Sequence, residues 1–295
     1  MPPIAIGSSN YLYTTVNVLG IKKSIMLKIG VIGCGAIGTE ICKAIDSKLI
    51  NAELVGIYDR SAERCQKLIG LLAVRPGSLA PADLIAASDI VVECASQAAV
   101  LDFGAMVLSC GKDLMVMSVG ALTDPDLLFR LKEIAAANAS RIYIPSGAIA
   151  GLDGLKSASM AHVNMVTLTT TKNPGGLKGA PFVIENNIDL DSFRKKTLLF
   201  EGSAEEAIAA FPANVNVAAS LSLAGIGTKK TRVRIFVDPE TSRNIHEISV
   251  EGEFGKFTCK VENVPSPDNP RTSYLAALSA IATLKKISEP LQVGT

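Results

Sequence analysis

The stretch Lys28–Ile45, KIGVIGCGAIGTEICKAI, decides the fold. Its first half is an apolar, β-branched run without polar alternation, the pattern of a strand buried on both faces. Its second half reads as a helix. Between them Gly33, Gly35 and Gly38 stand in G-x-G-x-x-G spacing. Gly33 permits a tight turn, Gly35 lets a pyrophosphate approach the backbone, and Gly38 lets helix and strand pack closely. The helix N–H groups, with Ala36 and Ile37 at the turn, then face the phosphates. Asp59 ends the next strand roughly 20 residues beyond Gly38, where a carboxylate hydrogen-bonds adenosine ribose hydroxyls. Arg60 follows and could offset the repulsion of a 2′-phosphate. The motif therefore predicts a dinucleotide cofactor, NAD or NADP.

Working outward, residues 26–147 alternate short apolar runs (LKIGVIG, ELVGIYD, DIVVECA, DLMVMSV, RIYIPSG) with helical stretches. That order implies right-handed crossovers and an α/β fold, a doubly wound parallel Rossmann sheet. Cys94, Ala95 and Ser96 of ECASQAAV fall at the carboxyl end of a strand, where the cofactor runs toward its nicotinamide. No cationic residue adjoins Cys94 in sequence to depress its pKa, so a structural thiol is favoured over a nucleophile.

After Gly147 the texture changes. TRVRIFVDP, IHEISVEGEF and GKFTCKVENV alternate at period two, as strands of a sheet covered on one face do. Residues 148–268 are therefore expected to form a second, α+β domain with a mainly antiparallel or mixed sheet, carrying the substrate side and the dimer contacts. Residues 269–295 end in an amphipathic helix expected to pack back on the first domain. Residues 1–25 are expected to be a poorly ordered extension.

The bulk numbers exclude several classes. A formal charge of +1 and no Trp give no general attraction to nucleic acid or anionic lipid. No apolar run reaches the length of a membrane span. The six cysteines form no C-x-x-C pair and there are two histidines, so no zinc spacing can be read and no metal is expected. A reducing cytoplasm fits this cysteine usage.

Four long strings, IPSGAIAGLDGL (144–155), FEGSAEEAIAAFPANVNVAASLSLAGIG (200–227), NIHEISVEGEFG (244–255) and ENVPSPDNPRTSYLAALSAIA (262–282), together resemble the L-aspartate dehydrogenase family. The resemblance runs from Met26 to about Ile287. It implies NAD(P)-dependent interconversion of L-aspartate with iminoaspartate, or with oxaloacetate plus ammonia, feeding NAD biosynthesis. It implies a homodimer as well. The family's catalytic histidine falls on His246, and further cofactor contacts fall on Ala148 and Asn214. The loop TTTKNPGGLKGAP keeps Lys172-Asn173-Pro174 but lacks an arginine expected just before it, which leaves open the cation for the distal carboxylate.

The chemistry needs an acid/base at the amino nitrogen and cationic or N–H donors for two carboxylates. His246, with a pKa expected near 7, suits the first role. Glu247 beside it points to the other face of a strand. For the carboxylates the candidates are Lys172, Lys178, Lys229, Lys230 and Arg271, with Asn216, Thr272 and Ser273; helix capping is the default for the last two. His162 has no such support. Sugar dehydrogenases, dihydrodipicolinate reductases and glyceraldehyde-3-phosphate-type enzymes are disfavoured by the missing lysine, His-His run and activated cysteine. A non-catalytic dinucleotide-binding redox sensor, or a dehydrogenase for another small carboxylate, remains as the alternative.

Overall fold

The computed structural model describes residues 26–212, 215–266 and 269–295. The first domain is a six-stranded parallel sheet. Its strands are β1 (Leu27–Ile32), β2 (Ala52–Tyr58), β3 (Gly77–Ser78), β4 (Ile90–Glu93), β5 (Asp113–Val116) and β6 (Ile142–Tyr143), in the order β3-β2-β1-β4-β5-β6. The strand order reverses between β1 and β4, and there the crevice at the carboxyl edge opens. Helices α1 (Ala36–Asp46), α2 (Ala62–Gly70), α3 (Pro81–Ala87), α4 (Gln97–Ser109) and α5 (Pro125–Ala137) make the crossovers. A 3-10 turn, Val119–Thr123, follows β5.

Both faces of this sheet are dry, which explains the unbroken apolar strands. On one face Ile29 and Val31 of β1 pack with Ile41 and Ile45 of α1 and Leu68 of α2. On the other, Val91 and Leu114 pack with Leu84, Val107 and Leu131 of α3, α4 and α5. Helix α5 starts at a capped aspartate. Asp124 accepts from the N–H groups of Asp126 and Leu127, with Pro125 in the first helical position.

The second domain begins with α6 (Leu152–Ala158) and holds a five-stranded sheet. It comprises β7 (Val163–Lys172), β8 (Thr197–Ser203), β9 (Arg232–Val237), β10 (Asn244–Gly252) and β11 (Gly255–Asn263), in the order β11-β10-β7-β9-β8. The sheet is mixed: β7 and β9 run parallel, and the other pairs are antiparallel. Val166, Leu168, Ile248, Val250, Val233 and Ile235 face inward onto α6, α7 (Pro181–Glu185), α8 (Ala204–Ala210) and α9 (Val215–Ala224). Phe182, Phe200 and Phe211 close this core with ring centroids 5.4–5.6 Å apart. Ser203 and Glu206 form a reciprocal capping box at the start of α8.

A short hairpin, β12 (Pro265–Ser266) with β13 (Asn269–Ser273), leads into α10 (Tyr274–Ser288). Ala280, Ile281 and Leu284 of α10 complete the same core as Ile29 and Ile41, so the last helix belongs to the first sheet. Residues 1–25 lie outside the described residues. Among the described residues no helix is long and apolar enough to cross a membrane, and no group of three or more His, Cys, Asp or Glu is placed to hold a metal ion.

The glycines of the first turn differ in what they permit. A Cβ on Gly38 would run into the Gly33 carbonyl, while a Cβ on Gly35 would meet nothing within 4 Å. Gly38→Ala is expected to cost ~2 kcal/mol by overpacking, a loss of roughly 5 °C in Tm. Gly35→Ala should leave the thermal transition where it is. Equal melting curves for the two variants would contradict the packing described here.

Candidate active site

The cleft at the carboxyl edge of the first sheet is lined by Gly33, Gly35, Tyr58, Asp59, Arg60, Cys94, Ala95, Asp102 and Phe103, with Arg64 beyond them. Gly33 has φ +111°, and its N–H donates to the Tyr58 carbonyl at 2.7 Å. Gly35 caps α1 with no side-chain bond, so N–H groups at the helix start face open space, a setting for phosphate oxygens. Asp59 is held rigidly: Oδ2 accepts from the Cys34 N–H and Oδ1 from the Ser61 N–H, both at 2.9 Å. Each oxygen keeps a lone pair for a ribose hydroxyl. Arg60 is exposed beside it. Ala36 and Ile37 form the half-buried first turn of α1. These residues fit a dinucleotide.

Cys94 follows β4 and is not a nucleophile in this setting. Its Sγ lies 3.3 Å from the Gly33 carbonyl oxygen and 3.4 Å from that of Ile32, and burial pushes its thiol pKa well up. Ala95 is exposed at the cleft, and the Ser96 hydroxyl caps α4 by accepting from the Ala99 N–H at 3.2 Å.

His246 is on the inner face of β10, 4% exposed, opposite Thr170 of β7 and Val261 of β11. Its Nδ1 is 3.0 Å from the Thr170 hydroxyl oxygen. Period two puts Lys172 on the same face as Thr170, one step further along β7. Lys172 is buried, and burial lowers its pKa to about 8. Burial, and then the charge of Lys172, lower that of His246 to about 3. The expectation of a histidine titrating near 7 is thereby corrected. The ring is a neutral imidazole, because both desolvation and a neighbouring cation oppose its charging.

The two domains meet around this region. The Asn216 side chain on α9 accepts from the Gly120 N–H at 3.0 Å, so its Oδ1 is bound to the first domain. Ala148 is buried, its carbonyl accepting from Asn263 Nδ2 at 2.9 Å, and the neighbouring Gly147 N–H donates to Ser279 of α10 at 3.0 Å. Ser273 occupies the cap position of α10 but makes no capping bond, so the default expectation fails for it. Asn214 lies outside the described residues, as do the side chains of Arg271 and Thr272.

Other predicted cations are not gathered here. Lys229 and Lys230 are exposed in the turn before β9, at the end of the strand that pairs with Thr167. Lys172 pairs with Val237 at the opposite end. The register thus separates Lys229 from His246, and it is set aside as a substrate ligand. Lys178 is engaged with Asp191 at 2.9 Å on the surface, and His162 is exposed at the start of β7. Sequence reasoning passed over Glu93, which is 1% exposed at the end of β4. A carboxylate closing the apolar run DIVVE was the available signal.

Two family models match the chain: residues 33–145 match the NAD binding domain of homoserine dehydrogenase, and residues 153–287 match the C-terminal domain of aspartate dehydrogenase. L-aspartate dehydrogenase of Methanococcoides burtonii is 59% identical over 271 residues, covering 92% of this chain and 100% of the relative. That of Nitrosopumilus maritimus is 47% identical over 273 residues, with the same coverage. The crystal structure of aspartate dehydrogenase from Thermotoga maritima superposes with a TM-score of 0.71 at 29% identity, covering 91% of this chain and 99% of that one. Matched in both domains and along the whole length of these relatives, the chain belongs to the L-aspartate dehydrogenase family.

Proposed function

We propose that this protein is an NAD(P)-dependent L-aspartate dehydrogenase with His246 as its acid/base. The observation that carries the reading is a buried neutral imidazole beside a buried lysine on one sheet face, in a chain that matches L-aspartate dehydrogenases end to end. The cofactor residues are Gly33, Gly35, Ala36, Ile37, Gly38, Asp59, Arg60, Cys94, Ala95, Ser96 and Ala148, with Asn214. When bound, the nicotinamide supplies the acceptor for the hydride that leaves C2 of L-aspartate with its electron pair.

The protein's own part is proton transfer and charge placement. In the tautomer whose Nδ1–H donates to the Thr170 hydroxyl, His246 presents Nε2 as a lone pair. That nitrogen takes the proton released from the amino group as the C=N bond forms. After passing that proton to solvent, it takes one from the attacking water and returns it to the departing ammonia. Lys172 holds one substrate carboxylate. The bound anion offsets the repulsion between the ammonium and a protonated ring, so the imidazole gains basicity when substrate is present. Asn216, whose Oδ1 ties α9 to the first domain, and the buried Ser273 are the further substrate-side residues of this reading. The iminoaspartate product suits a precursor of quinolinate and so of NAD. A cytoplasmic homodimer, with the second domain carrying the dimer contact, completes the reading.

Turnover is tested with oxaloacetate, ammonia and NADH, or NADPH, followed at the nicotinamide absorbance. NADH binding without turnover would favour a sensor instead. His246→Ala should lower kcat by about 10²–10⁴-fold and leave NADH affinity within about twofold. A variant with wild-type kcat removes His246 from the mechanism.

Lys172 sets a second expectation. Its pKa of about 8 means that the free site loses its positive charge as pH rises through 8. The inhibition constant of succinate, which does not titrate in that range, should rise about tenfold between roughly pH 7 and 9 by linkage. In Lys172→Met it should be high and flat. A pH-independent constant in the wild type would exclude Lys172 from carboxylate binding.

A further inference from the structure

Glu93 takes no part in the chemistry above, yet it is the most heavily bonded carboxylate at the carboxyl edge of the first sheet. Its Oε1 accepts from the Ala95 N–H at 2.8 Å, the Ser96 N–H at 2.9 Å and the Ser118 hydroxyl at 2.9 Å. Its Oε2 accepts from the Ser118 N–H at 3.1 Å. Three of the four donors are backbone N–H groups that cannot reverse their role, so this cradle is built for the ionised form. Burial pushes the carboxyl pKa up, and the bonds from Ser118, Ala95 and Ser96 work against that rise.

The two loops tied by this carboxylate lead to different parts of the site. The 94–96 loop leans on the glycine turn, since a Cβ on Gly33 would lie 2.7 Å from the Cys94 carbonyl carbon and 2.8 Å from the Ala95 nitrogen. The other loop starts at Ser118 and enters the 3-10 turn whose Gly120 N–H donates to Asn216 on α9. One buried charge therefore stands between the cofactor turn and the junction to the domain that carries His246.

We propose that Glu93 is a positioning residue: its carboxylate fixes the loop that bounds the nicotinamide end of the cleft and, through Ser118 and the Gly120–Asn216 bond, the seat of the second domain against it. The proposal rests on the dinucleotide and dehydrogenase reading above.

The test compares Glu93→Gln, Ser118→Ala and the double variant in the full-length protein. NADH affinity is read by fluorescence, kcat and KM by turnover, and stability by Tm. Glu93→Gln keeps the shape but turns one oxygen into a donor facing donors; NADH binding should weaken about tenfold and kcat fall by a similar or larger factor. Ser118→Ala removes one donor and should cost about threefold in each. The double variant should be no worse than Glu93→Gln, because the hydroxyl acts through the carboxylate.

Variants that melt earlier but keep wild-type affinity and kcat would reduce Glu93 to a structural group and overturn the proposal. So would single effects that multiply in the double variant. If Glu93→Gln does not fold, Ser118→Ala decides alone, and wild-type constants there overturn it. A wild-type protein that binds no NADH would instead sink the reading on which the proposal rests.

Discussion

Helix α1 can begin where it does only because nothing projects from Gly38. Its Cα sits against the Gly33 carbonyl, and the sulfur of Cys94 closes the third side. That contact fixes how near α1 comes to β1. It leaves the start of the helix pointing into the cleft and sets the path of the loop after β4. Asp59 is drawn into the same arrangement through its bond from the Cys34 N–H. The glycine spacing is thus first a packing condition and only then a binding motif, because the open space before Gly35 exists once the other two glycines have brought the backbone together.

The second sheet uses burial differently. Its inner face is apolar along Val166, Leu168, Ile248 and Val250, then turns polar at Thr170, Lys172 and His246. Low polarity around the lysine and the imidazole favours the neutral form of each, and at the imidazole the charge of Lys172 adds to that preference. A dianion is the natural complement of such a place, since its charge offsets the penalty that keeps these groups short of protons. In the proposed mechanism, reactivity comes from an environment that is uncomfortable for cations until the right anion arrives.

Much of this architecture was legible. Apolar runs between helical stretches identify a parallel sheet because both faces are covered, and period-two segments identify a sheet covered on one side. The strand β3 was invisible because its two residues, Gly77 and Ser78, are exposed and neither apolar nor β-branched. The parallel pairing of β7 with β9 was equally hidden, since alternation reports faces and not neighbours. His246 was found through the strings around it, not through its own chemistry; a lone histidine on an alternating strand reads as ordinary. Its low pKa comes first from burial and then from Lys172, 74 positions away by their numbers in the chain and brought beside it by register. Lys229 looked equivalent to Lys172 in sequence because both are lysines near loops, and only the direction of β9 separates them. Glu93 went unnoticed because its partners are backbone groups, which no side-chain pattern announces.

The packing of α10 has a consequence for the order of assembly. Ala280, Ile281 and Leu284 sit in the same cluster as Ile29 and Val31, so the sheet made first during synthesis waits for the final segment to finish covering the side on which α1 and α2 already lie. The whole second domain must emerge in between. Until the ribosome releases the end of the chain, that side presents apolar surface to the cell, and nascent protein of this kind is a natural client for chaperones. The two halves are separate in shape but joined in maturation, and a truncation that spares every residue of the cleft would still leave its scaffold unfinished.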